Sequence, residues 1–233
     1  GGLAINTSKD VDQAMNSFIV QTGIAKNESG EWQKALEDIY KNNYGESFED
    51  IANSMALASQ ELYEFDPSQI KAVTENALAL RDAFGVEVNE SIRATKALMT
   101  QFGISADEAY NLMAQGAQAG LDFSGELVDN INEYSVQFGK LGLSAEDMFN
   151  IFQSGADAGA WNLDKIGDAV KEFSIRAIDG SKTTVEGFTK LGLNADTMAK
   201  KFAAGGDTAK EAFYQTIDAI KAMDDPVQQS IVG

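Results

Sequence analysis

Three stretches of this chain are near-copies of one another: QFGISADEAYNLMAQGAQAG at 101–120, KLGLSAEDMFNIFQSGADAG at 140–159 and KLGLNADTMAKKFAAGGDTA at 190–209. An internal repeat constrains a fold more than composition does, because a unit too short to bury its own apolar face must stack on its neighbours. The second copy starts 39 residues after the first, and the same offset lays Asp129 on Asp168, Glu133 on Glu172 and Ser135 on Ser174. The third starts 50 residues after the second, a surplus of 11 that equals the length of DGSKTTVEGFT at 179–189. Beyond that insertion the register resumes, with Asp218 on Asp168 and Ile220 on Val170. What recurs is glycine, small residues, a capping residue and apolar spacing, which are the materials of a packed helical unit.

The periodicity is helical throughout. Proline occurs only at Pro67 and Pro226, no run alternates Val, Ile or Thr with polar residues, and Ala, Leu, Met, Glu and Lys fill the intervals. The expectation is an all-α chain with helices near 10–21, 31–43, 48–64, 67–84, 89–102, 105–118, 124–138, 144–156, 162–178, 194–204 and 207–223. Ser29, Ser47 with Asp50, Asp66 before Pro67, Asn89, Ser105, Ser144 and Asn194 are read as N-caps, and Gly45 as the stop of the second helix. Gly103, Gly142 and Gly192 each follow a helix and precede an apolar residue and then a cap, so they are read as the repeat turns. Leu127, Ile131, Tyr134 and Phe138 form a stripe at helical spacing that Ile166, Val170, Phe173 and Ala177 reproduce one unit later; both are read as core. The organisation expected is a helical region over 1–100 and three helical hairpins of about 39 residues at 101–139, 140–178 and 190–223, joined to that region as one continuous globular unit.

Chemistry is restricted mainly by which residues are missing. With no cysteine and no histidine, the chain has no disulfide, no thiolate nucleophile, no Ser-His-Asp arrangement and no His-ligated metal. The pairs Glu49–Asp50, Asp107–Glu108 and Glu146–Asp147 fall in first helical turns, where a carboxylate is stabilised by about 0.3–1 kcal/mol through the helix dipole. Neither LDFSGELVDNINE nor AIDGSKTTVEG has the spacing of a calcium loop, and no Gly-rich phosphate cradle or GxSxG elbow occurs. No catalytic residue, metal or cofactor is expected. The 36 acidic against 18 basic side chains give a formal charge of −18, which repels phosphate backbones and anionic headgroups, so direct nucleic-acid binding is not expected. No stretch approaches the roughly 20 apolar residues of a membrane span. The start, GGLAINTSKD, lacks the pattern of a signal peptide, and the unfinished apolar pattern of DDPVQQSIVG suggests a fragment of a longer chain.

The strings KNNYGESFEDIANSMA (41–56), NALALRDAFGVEVNESIRATKALMTQFGIS (76–105), AYNLMAQGAQAG (109–120), VDNINEYSVQFGKLG (128–142), DKIGDAVKEFSIRAIDGS (164–181) and GLNADTMAKKFAAGGDTAKEAF (192–213) closely resemble the tape-measure proteins of long-tailed bacteriophages and prophages. The resemblance covers most of the chain as a collinear succession of strings without a catalytic motif. It implies a protein that threads the tail lumen, sets tail length during assembly in the host cytoplasm, and is released at infection to help the genome cross the host envelope. It further implies tail-tube protein, tail-assembly chaperones, tail-tip proteins and other copies of itself as partners. A ruler should be extended, and one continuous helix of 233 residues would span about 350 Å. The frequent glycine stops and caps argue instead for a folded region attached to longer ruler segments. Two other classes share some of these features: a helical-repeat binding module without a phage role, and a cell-wall hydrolase, for which no catalytic constellation is present.

Overall fold

The computed structural model describes residues 2–123 and 125–226, and among them regular structure is helical, with no strand. Contacts divide the chain into two compact bodies, Gly1–Gln118 and Ala119–Gly233. The reading of 1–100 and 101–233 places the division elsewhere. The observed boundary falls inside the first copy of the repeat, between its two helices. Ser124, where a helix was expected to begin, and residues 227–233 of the terminal apolar pattern lie outside the described residues.

The first body holds α1 (Gly2–Thr22), a short 3₁₀ turn (Lys26–Glu28), α2 (Gly30–Lys41), α3 (Phe48–Glu61), α4 (Pro67–Phe84), α5 (Val88–Phe102) and α6 (Ala106–Gln118). From α2 onward each helix packs on the next, and α1 on α3, α2 on α4, α3 on α5 and α4 on α6. That pattern is the stacking of successive hairpins, and it is already present before the first recurrent phrase. Its core is apolar: Phe18, Leu36, Ile39, Ile51, Met55, Ile70, Leu78, Ile92 and Leu98 are fully buried. The stack is pinned at its edge by Arg81, whose guanidinium donates to both carboxylate oxygens of Asp50 at 2.8 and 3.0 Å. This two-pronged geometry is the strong form of an ion pair.

The second body holds α7 (Leu127–Lys140), α8 (Ala145–Asp157), α9 (Leu163–Arg176), α10 (Lys182–Lys190), α11 (Ala195–Ala204) and α12 (Gly206–Lys221). Here α7 packs chiefly on α9, α8 on α9, α11 on α12 and α12 on α7. The helices of the second and third copies therefore pair as hairpins. The first copy is split, because α6 packs on α4 and α5 whereas α7 packs on α8 and α9.

Most caps form as their chemistry requires. Asp66 accepts from the Gln69 amide and Gln69 returns a bond to the Asp66 amide, ahead of Pro67 in the first turn. Ser105 with Glu108 and Ser144 with Asp147 make the same reciprocal pair, and Ser47 and Asn194 cap with one bond each.

Four expectations are corrected. Ser29 does not cap α2: its backbone is helical and its hydroxyl donates back to the Lys26 carbonyl of the preceding 3₁₀ turn. Asn89 does not cap α5, which starts one residue earlier because Val86 and Val88 are drawn into the core; the Asn89 amide instead donates to Glu90. The stop of α2 is Asn43, left-handed at φ 62°, with Tyr44 N–H reaching the Ile39 carbonyl. Gly45 serves the next helix, since a Cβ there would sit 2.6 Å from Ile51 Cγ1. Finally, no helix was expected between 178 and 194, where Ser181 caps α10 and α10 buries Phe188.

Candidate functional site

The three turn glycines share a conformation and differ in surroundings. Gly103, Gly142 and Gly192 have φ of 68°, 71° and 73°, the left-handed region that side chains avoid. At the ends of α7 and α10 the chain makes a paired closure: Leu143 N–H reaches the Phe138 carbonyl and Leu193 N–H that of Phe188, with Gly142 and Gly192 N–H bonded just inside. Gly103 makes the simpler stop, a single bond from its N–H to the Met99 carbonyl. A side-chain carbon at Gly103 or Gly192 would meet open space. At Gly142 it would overlap the carbonyl of Gly206, the first residue of α12. The α7–α8 turn and the head of α12 thus meet backbone to backbone.

The same joint carries the best-developed polar cluster of the second body. Asp147 accepts the Ser144 amide at 2.8 Å as part of its cap, Lys210 Nζ at 2.6 Å and the Tyr214 hydroxyl at 3.1 Å, the last two from α12. Burial pushes the Asp147 carboxyl up, but the bonds from Lys210, Ser144 and Tyr214 outweigh it and hold it below the ordinary carboxylate range. Lys210 is raised by the same bond to Asp147. A capping residue is thereby also the tie between α8 and α12. Ser144 as a cap and Asp147 as a first-turn carboxylate were legible in the sequence; the tie of Asp147 to α12 depends on contacts 63 and 67 residues away.

The stripe of α7 is buried along its length, with Leu127, Ile131, Tyr134 and Phe138 at 2% exposure or less. That of α9 is buried only in part: Val170 and Ala177 are inside, whereas Ile166 and Phe173 are half-buried. Phe173 still packs edge-on against Phe202 and Phe213, at 5.4 and 5.5 Å between ring centres. Two glycines set how closely these helices approach. A Cβ at Gly155 would lie 2.5 Å from Ile166 Cδ1, and one at Gly167 would overlap the Tyr134 ring. The Tyr134 hydroxyl then reaches Asp164 at 2.7 Å. The available signal for Gly167 was its place inside an amphipathic helix, where glycine costs about 1 kcal/mol unless packing requires it.

Among the described residues no three acidic side chains gather to hold a metal ion, and no helix is long and apolar enough to cross a membrane. The groove along α12, lined by Asp207, Lys210, Glu211, Tyr214, Gln215 and Asp218, is open and charged. What the geometry does is lock helices to one another at glycine contacts and capped turns.

An all-helical chain with this succession of capped turns has a counterpart among known families. Residues 40–233 match the family described as phage-related minor tail protein, and the chain belongs to that family. It is therefore a structural protein of the phage tail. It is also similar to the probable tape measure protein of Streptomyces phage phiC31, at 38% identity over 65 residues. That stretch is 28% of this chain and 9% of the phage protein, so the chain spans only a small part of that relative. No solved structure matches.

Proposed function

We propose that this chain is a folded segment of a tape-measure protein, acting in the lumen of the tail to set tail length during assembly and to assist delivery of the genome. The observation that carries this reading is the family match over residues 40–233, joined by the similarity to a probable tape measure protein. The lengths of the helices support a folded part in place of a ruling one. Among the described residues the longest helix has 21 residues, about 32 Å, so in this reading the segment is not the extended ruler. It acts as a folded region carried on longer segments, without catalysis of its own. Its partners in this reading are the tail-tube protein, tail-assembly chaperones, tail-tip proteins and further copies of the same chain. The charge of −18 lets DNA pass without adhering. Assembly takes place in the host cytoplasm.

An in-frame deletion of this segment from the phage, with tails measured by electron microscopy, tests the assignment. A compact region attached to a ruler predicts tails shortened by far less than the roughly 350 Å that a continuous helix of this length would span. Cross-linking of virions should join the segment to the tail-tube protein. Absence of the protein from purified virions would refute the reading. A helical-repeat binding module without a phage role would give that same absence.

A further inference from the structure

The recurrent phrase suggests one continuous stack, in which opening any hairpin exposes the next and loss of structure spreads along the array. The packing points elsewhere. Residues of the first copy are shared between the two bodies, so one of the three recurrent phrases straddles the place where contacts divide the chain. Each body completes its core from its own residues: α5 and α6 close on α4 in the first, α8 and α9 on α7 in the second. Each body also has long-range polar ties of its own, Asp50–Arg81 and Asn76–Asp107 in the first and Tyr134–Asp164 in the second. The second body also has its own beginning. Leu121 is buried, Gly125 N–H bonds the Asp122 carbonyl, and the Asp122 side chain accepts the first amide of α7 at 3.1 Å. Each body has the size at which a chain can hold a single core, roughly 100 to 150 residues.

We propose that the two bodies open independently, so that the chain loses structure in two separate steps divided near Gln118 and Ala119, and not hairpin by hairpin along the repeat. The inference rests on packing alone and stands whether or not the tail reading is correct. It assigns the chain a conformational device: one body can unfold while the other keeps its fold.

The test uses the whole 233-residue chain and amide hydrogen exchange read peptide by peptide. Leu98→Ala empties a fully buried site in α5, and Phe152→Ala one in α8. Independent opening predicts that Leu98→Ala speeds exchange in α1–α6 by on the order of a hundredfold and leaves α7–α12 at the wild-type rate, while Phe152→Ala does the reverse. If Leu98→Ala does not fold, Ile92→Val makes the same comparison with a smaller truncation. Faster exchange across both bodies from either substitution would overturn the proposal. So would a loss that begins at the altered hairpin and fades gradually across residues 118 and 119.

Discussion

Gly142 lies so close to Gly206 that any side chain on it would occupy the space of the Gly206 carbonyl. Two backbones meet there without side chains between them, at a residue that is also left-handed. The third recurrent glycine, Gly192, has the same φ within a few degrees and nothing within 4 Å of where a Cβ would stand.

This contrast sets the first expectation. Gly192→Ala should cost only the left-handed strain, about 1–2 kcal/mol. Gly142→Ala should cost that and the displacement of α12, on the order of 3 kcal/mol or more, and Gly142→Val more still. Lys140→Ala, exposed at the end of α7, should fall within roughly 0.5 kcal/mol of neutral. Urea denaturation of the four variants gives the order directly. Equal losses at Gly142 and Gly192 would show that the contact with Gly206 carries no energy.

Gly167→Ala opposes two effects: alanine favours a helix by up to about 1 kcal/mol, while the added carbon collides with the Tyr134 ring. Overpacking of this kind costs about 1–3 kcal/mol, so the single variant should lose stability. In a Tyr134→Ala background the collision is gone and the same change should be neutral or stabilising. The expected result is a coupling of at least about 1 kcal/mol in a double-mutant cycle, and additive effects would count against the contact.

Phe138 and Phe173 separate a full from a partial core position. Phe138→Ala should cost about 3–5 kcal/mol, since the residue is fully buried against Phe152. Phe173→Ala should cost less, roughly 2 kcal/mol, because part of the ring already faces water. Thermal or urea unfolding that ranks Phe173 above Phe138 would contradict the burial described.

The Asp147–Lys210 pair gives stability a defined pH window. The Asp147 carboxyl is depressed in the fold, so its contribution is present above the ordinary aspartate value of 3.8 and is lost as pH falls through the lower folded value. Lys210 is raised, so its contribution is present below its ordinary 10.5 and is lost as pH climbs through the higher folded value. The stability gap between wild type and Asp147→Asn should be widest between about pH 5 and 9, close at low pH as Asp147 takes up its proton, and narrow at high pH as Lys210 and Tyr214, the latter raised by burial and by Asp147, lose theirs. Asp50, also depressed through Arg81 against the opposing effect of burial, titrates in both proteins and cancels from the difference. A gap that does not change with pH would mean that the pair contributes only its hydrogen-bond geometry.

Much of the fold follows from local chemistry and was therefore legible. Asp66, Pro67 and Gln69 specify the start of α4 by themselves, and the stripe from Leu127 to Phe138 specifies the buried face of α7. What was not legible depends on partners distant in sequence. Helix α10 carries Thr183, Thr184, Val185 and Gly187, poor helix formers, and buries only Phe188, so its local signal was faint. The stop at Asn43 in place of Gly45 turns on the packing of Gly45 under Ile51. Ile166 and Phe173 share the spacing of the α7 stripe, but spacing fixes only which face a residue occupies; how deeply each is covered depends on other helices, α8 at Ile166 and α11 and α12 at Phe173. The division after α6 was masked because the phrase at 101–120, in which it falls, is one of the three that repeat.

The placement of α10 bears on how such a chain can change length. A residue added inside a helix turns everything beyond it by about 100°, which would pull Gly167 off Tyr134 or Gly142 off Gly206. The surplus between the second and third copies sits instead in the connection, folded into a short helix that rests on α11, and the register of both neighbours is kept. Growth by whole connections or whole hairpins is silent to the contacts on either side, whereas growth by one or two residues is not. A lineage of such chains should therefore vary in length by discrete blocks, with the glycine contacts as fixed points between them.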